Sequence, residues 1–126
     1  MSTNGTIRFI DKRGRKLLNI YNHYDSYYSG LGQKIYDFFS DETNYGNGFE
    51  DTILLFVCYL KKGEPYAVYA TDEDDVQEYN YEIYETDKGL RFSVKREFAY
   101  FGNTIIDFKP LVRGTIDDFK AEIDKG

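Results

Sequence analysis

The chain's single histidine, His23, lies in the stretch "YNHYDSYYSGLGQK", with Asp25 and Ser26 within three residues of it. These are the residue types of acid–base and nucleophilic chemistry: a carboxylate to orient an imidazole, an imidazole to move a proton, a hydroxyl to attack. If the segment stays extended, His23 and Asp25 share a face, and an Asp-oriented imidazole follows. Ser26 joins them less easily, because base and nucleophile must converge in space and neighbours on one extended segment rarely do. His23, Asp25 and Ser26 are the candidate catalytic residues. The competing reading is a polar strand end whose groups hydrogen-bond only to the backbone.

The same stretch is rich in groups that bind rather than react. Tyr21, His23, Tyr27 and Tyr28 can form one wall of a pocket on which a planar ligand stacks. Gly30 and Gly32 precede a helical pattern, and backbone N–H groups at a helix N-terminus attract anions, with Lys34 adding charge. No complete dinucleotide or Walker signature is present, so a tight strand-to-helix turn explains the glycines equally well. Arg8 or Arg91 would supply a further cation, and with Asp25 these residues complete the expected ligand-binding set.

Other chemistries are poorly supplied. The acidic run "TDEDD" (71–75) lacks the alternation, central glycine and distal Glu of a calcium loop. One His and one Cys give little for a transition metal, so neither a metal nor a cofactor is expected. After Met removal Ser2 would carry a free amine, as N-terminal nucleophiles do, but the chain is short for the layered sheets of such hydrolases.

Composition narrows the classes further. The 126 residues are enough for one domain with its own core, and 13 Tyr and 10 Phe are more aromatics than a core needs. Some of them should line a groove or an oligomer contact, unless a biased genome explains them. The net charge of −6 weighs against generic nucleic-acid binding. The local cations Lys12, Arg13, Arg15 and Lys16 fall at a predicted hairpin turn, where solvated charge is expected. A lone Cys58, no apolar run of membrane length and no leader-like N-terminus point to the cytosol, with no membrane partner.

Periodicity supplies the elements that must position these residues. Alternation predicts strands over 5–11 and through "KLLNIYNHY", joined by the turn "DKRG". Leu31, Ile35, Phe38 and Phe39 mark one helix face, ending near Ser40. A second helix fits "ILLFVCYL", with Asp51 as N-cap and Gly63 just past its end, although a buried central strand competes. Residues 65–71 read as a short strand, and "VQEYNYEIYETDKGLRFSVKREF" as a hairpin with Tyr79, Tyr81 and Ile83 on one face. A turn at Gly102–Asn103, a strand through Phe108 and a Thr115-capped helix close the chain. The expectation is a single α+β domain over 1–126, with a mainly antiparallel sheet of about five to six strands and two to three packed helices.

"STNGTIRFI" and "YNHYDSYYSGLG" together resemble a family of small phage, large-virus and microbial-eukaryote proteins. Those open with an S-T-R-G-x-Y-x-F strand and continue with Y-N-H-x-D-S-Y-P-x-G-L-G. Ser2, Thr3, Gly5, Tyr21, Asn22, His23, Asp25, Ser26, Tyr27, Gly30, Leu31 and Gly32 match, while Asn4 and Tyr28 stand where the family has Arg and Pro. The resemblance covers the first third of the chain and implies a viral or microbial accessory protein, working in the host cytoplasm if viral. The compact H-x-D-x-Y…G arrangement also looks like phage anti-defence proteins that sequester nucleotide signals.

The expected function is therefore a viral or phage accessory protein that holds a small anionic, nucleotide-like ligand without turnover, as a homo-oligomer with pockets at its subunit contacts. The alternatives are a small hydrolase or transferase using His23 and Asp25, and an interaction or structural module that presents exposed tyrosines.

Overall fold

Why the aromatic stretch ends where it does follows from the sheet that carries it. In the computed structural model, which describes residues 3–100, 103–106 and 111–125, the first hairpin forms as the alternation requires. Strand β1 (Gly5–Ile10) pairs antiparallel with β2 (Lys16–Asn22), Ile7 opposite Ile20. Asp11 sets their turn: its carboxylate accepts from the N–H groups of Arg13 and Arg15 and from Arg15 Nε, while Gly14 takes a φ of 82°. Burial alone would raise the Asp11 carboxyl, but hydrogen bonds from Arg15 and Arg13 outweigh it and hold the pKa below its ordinary value.

One wide helical turn at Tyr28–Gly32 leads into α1 (Gln33–Phe39), and α2 (Phe49–Lys61) follows. "ILLFVCYL" is thus helix, not strand. Its N-cap is Gly48 rather than Asp51; Asp51 lies in the first turn, where its carboxylate accepts from Asn47 N–H. Strand β3 (Val68–Ala70) is shorter than the 65–71 expected, because Pro65 and Tyr66 lie in a turn closed by Ala67 N–H to the Glu64 carbonyl.

Strands β4 (Tyr79–Thr86) and β5 (Gly89–Tyr100) form the long hairpin, with Gly89 at φ 111°. Strands β6 (Asn103–Ile106) and β7 (Leu111–Gly114) both pair with β5, and α3 (Ile116–Ile123) ends the described chain. Thr115 caps α3 in a capping box with Asp118. Gly102 and Phe108, expected at a turn and the close of a strand, lie outside the described residues, as does Ser2.

The sheet runs β3-β2-β1-β4-β5-β6, with β7 beside β5, and all described pairings are antiparallel except β1 with β4. The protein is a single α+β domain, a mostly antiparallel mixed sheet with three α-helices among the described residues. Ile7, Phe9, Ile20, Tyr81, Ile83, Phe92 and Val94 meet Leu31, Ile35, Phe39, Phe56 and Phe119 in one core. No helix of the described residues is long and apolar enough to cross a membrane.

The sheet's other face is polar and partly roofed by the acidic loop 71–77. Arg8, almost fully buried, donates to the backbone carbonyls of Glu73 and Asp75 and to Thr6 Oγ1. Thr6 donates in turn to Asn80 Oδ1 at 2.6 Å. The loop therefore turns its carbonyls to a buried guanidinium, while Asp72, Glu73 and Asp74 stay exposed. Among the described residues no group of carboxylates, His and Cys is placed to hold a metal.

Candidate functional site

His23 directly follows β2, and its N–H still bonds to the Ala67 carbonyl at 2.9 Å. Two residues later the strand geometry has gone: Asp25 adopts a left-handed φ of 54°. That turn breaks the shared face expected of His23 and Asp25. The imidazole Nδ1 lies 2.9 Å from the Tyr21 hydroxyl, and the Asp25 carboxylate instead accepts from the Tyr27 hydroxyl at 3.2 Å. That bond is the main reason the Tyr27 phenol is raised above its ordinary pKa. Ser26 is fully buried, its hydroxyl receiving Asn22 Nδ2 at 2.8 Å and donating to the Asn22 carbonyl at 3.2 Å. His23, Asp25 and Ser26 thus make no hydrogen bond with one another, and the hydroxyl is sealed from any substrate.

What the motif builds is a lock between strand and helix. Ser26 N–H reaches the Thr3 carbonyl, Leu31 N–H reaches the Asp25 carbonyl at 2.8 Å, and Tyr81 on β4 donates to the Ser26 carbonyl at 2.7 Å. Gly30 is required by contact: a Cβ there would stand 2.0 Å from the Asp25 carbonyl oxygen. Gly5 is close-packed in the same way against Ser26 Cβ, at 2.6 Å. The N–H groups of Gly30 and Gly32 both bond to the Tyr27 carbonyl, so the two glycines cradle no anion. Tyr28 is buried edge-on to Tyr79.

The expected ligand-binding residues are spread over the molecule. Tyr21 and His23 share one site, Asp25 and Tyr27 pair nearby on the surface, and Tyr28, Gly30 and Gly32 belong to the lock. Arg8 is held beneath the acidic loop, Lys34 is exposed on α1, and Arg91 lies at the far end of the hairpin. None of these three cations lines the cleft beside His23.

Sequence reasoning missed the rest of the aromatic wall. A cleft of about 610 Å³ is lined by His23, Tyr24, Glu64, Pro65, Tyr66 and Tyr69, with Gly63 and Ala67 completing it. Tyr24, Tyr66 and Tyr69 are all exposed, Tyr66 to 94%. Tyr21 stacks at a tilt on Tyr69, centroids 5.0 Å apart, and His23 meets Tyr24 edge-on at 4.6 Å. Burial, then the neighbouring Tyr69 and Asp75, raise the Tyr21 phenol, so it stays protonated and can donate to Nδ1. Lys61, from the end of α2, donates to the carbonyls of Pro65 and Val68 and holds the rim in place. The available signal was Tyr66 just before, and Tyr69 within, a short strand that follows Pro65.

A larger cavity of about 860 Å³ lies where the β4–β5 turn meets the start of α2, and Lys88 and Arg91 line it beside Asp41, Glu42 and Glu85. Its glycine-bearing loop is already satisfied from within. Gly46 N–H bonds to Thr52 Oγ1 and Asn47 N–H to the Asp51 carboxylate, which stands where an anion would. No known protein family matches the chain, and neither does any curated protein or solved structure.

Proposed function

We propose that this is a non-catalytic binding protein, a viral or phage accessory protein as the motif implies, that takes the planar ring of a nucleotide-like ligand between Tyr24, Tyr66 and Tyr69. The observation that carries this reading is the exposure of three tyrosines around one cleft, with Tyr66 almost entirely in solvent. Ring stacking is worth about 1–3 kcal/mol per base and needs no sequence-specific contact. His23, fixed through Tyr21, offers its remaining ring nitrogen as a hydrogen-bonding group. Turnover is disfavoured because the carboxylate and hydroxyl that His23 would need are committed elsewhere. Any phosphate of the ligand lies outside the cleft, since Glu64 lines it and Arg8, Lys34 and Arg91 do not.

Thermal-shift titration with nucleosides, nucleotides, cyclic dinucleotides and ADP-ribose derivatives tests this, with mass spectrometry of the recovered ligand. The expected result is a raised midpoint, an intact ligand, nucleosides binding about as well as nucleotides, and loss of the shift in Tyr66→Ser and Tyr69→Ser. Recovered product, together with a fall of about 10²–10⁴-fold in rate for His23→Gln, would instead identify a hydrolase or transferase.

A further inference from the structure

Helix α2 buries one face and leaves an apolar one in solvent. Phe49, Ile53, Phe56 and Leu60 enter the core, whereas Leu54 is 63% exposed, and Leu55, Cys58 and Tyr59 are exposed beside it. This explains why the segment reads as apolar all round. The exposed side has an order along the axis: Glu50, Leu54, Cys58 and Lys62 follow at four-residue spacing, so they form one stripe. The stripe is acidic at its start, apolar in its middle and basic at its end. Neither Glu50 nor Lys62 has an ion-pair partner among the described residues.

Such a stripe is its own complement when reversed. Turned about a two-fold axis at the level of Phe56, a second α2 sets Lys62 across from Glu50 and Cys58 across from Leu54, each contact occurring twice. A parallel alignment would instead face Glu50 with Glu50 and Lys62 with Lys62. We propose that the exposed face of α2 is the contact between two copies of this chain, packed antiparallel with Leu54 and Cys58 at the centre. One helix face buries little area compared with a permanent dimer, so the association is concentration-dependent. At an axis separation of about 8–10 Å, with Cα atoms about 2.3 Å from each axis and a rise of about 1.5 Å per residue, the two Cys58 Cα atoms lie roughly 7–8 Å apart. That is too far for a disulfide and within reach of a short bis-maleimide.

Sedimentation equilibrium on the full chain, under reducing conditions and without ligand, tests the contact apart from the aromatic cleft. The expected result is a reversible dimer whose dissociation constant rises about a hundredfold in Leu54→Glu, tenfold for each copy of the lost contact. Leu54 is on the surface, so the variant should keep its far-ultraviolet circular dichroism. Glu50→Lys and Lys62→Glu should each weaken the dimer, and the double variant should restore it. The bis-maleimide should link wild-type chains through Cys58, the one cysteine in the sequence. A wild-type protein that stays monomeric overturns the proposal and leaves the stripe to a different partner. A dimer unchanged by Leu54→Glu, or one that neither charge swap alters, overturns it equally.

Discussion

Tyr81 and Ser26, 55 residues apart in sequence, are joined by a buried hydrogen bond of 2.7 Å from the phenol to the Ser26 carbonyl. The bond ties the centre of the sheet to the turn between β2 and α1. It also explains why a polar motif can be almost wholly structural: Ser26 and its neighbours fill hydrogen-bonding positions inside the fold. Tyr81→Phe keeps the ring and leaves the carbonyl without that donor, at a cost of about 1–3 kcal/mol. Urea unfolding at neutral pH should show the midpoint lowered with an unchanged slope.

The same phenol makes stability sensitive to alkali. Burial, then the nearby Tyr28 and Tyr79, push the Tyr81 pKa well above the ordinary 10.0. The folded state therefore holds this proton more tightly than the unfolded chain does. The stabilisation is complete below the unfolded-state pKa and is lost as pH rises above about 10. Tyr21, Tyr45, Tyr59 and Tyr84 are raised too, chiefly by burial. Unfolding midpoints should be flat near neutrality and fall in alkali, and Tyr81→Phe should make the fall shallower.

Glycine positions separate close contact from backbone freedom. Gly30→Ala should destabilise by about 3 kcal/mol or more, because its methyl group meets the Asp25 carbonyl and displaces the acceptor of Leu31 N–H. Gly14→Ala, at positive φ with nothing within 4 Å of the new carbon, should cost only roughly 1–2 kcal/mol. Equal losses at the two sites would sink the lock interpretation. Denaturant melts of both variants measure this directly.

Arg8 is the test of the roof over the polar face. Arg8→Met should cost about 2–3 kcal/mol and speed amide exchange across 71–77, because the carbonyls of Glu73 and Asp75 lose their donor. Arg8→Lys should rescue little, since an ammonium cannot match the planar fork that reaches both carbonyls. Exchange confined to its wild-type rate in both variants would mean that the loop is held by other contacts.

Much of this architecture was legible because local periodicity carries it. Leu31, Ile35, Phe38 and Phe39 face the core as their spacing requires, and Thr115 caps α3 as its residue type suggests. The site was less legible, for two physical reasons. Asp25 takes a left-handed conformation that its neighbours in sequence do not dictate, and that single turn moves its carboxylate away from His23. The cleft itself joins residues 23–24 to residues 63–69, a pairing set by β2 meeting β3 across the intervening helices. For α2, a helix-or-strand ambiguity arose from Leu54, Leu55 and Cys58, apolar residues that this domain leaves outside.

The parallel pairing of β1 with β4 has a kinetic meaning. β1 lies between β2 and β4, so its first edge is met within a few residues, while its second waits for Tyr79–Thr86. During synthesis the N-terminal hairpin can form at once, yet Ile7 and Phe9 have no β4 beside them until Tyr81 and Ile83 have emerged. Folding must therefore close a long chain segment late, which slows it and leaves a strand edge open to wrong pairing in the meantime. Deleting or permuting the connection between β2 and β4 should act first on the folding rate and on aggregation during expression, before it acts on the finished sheet.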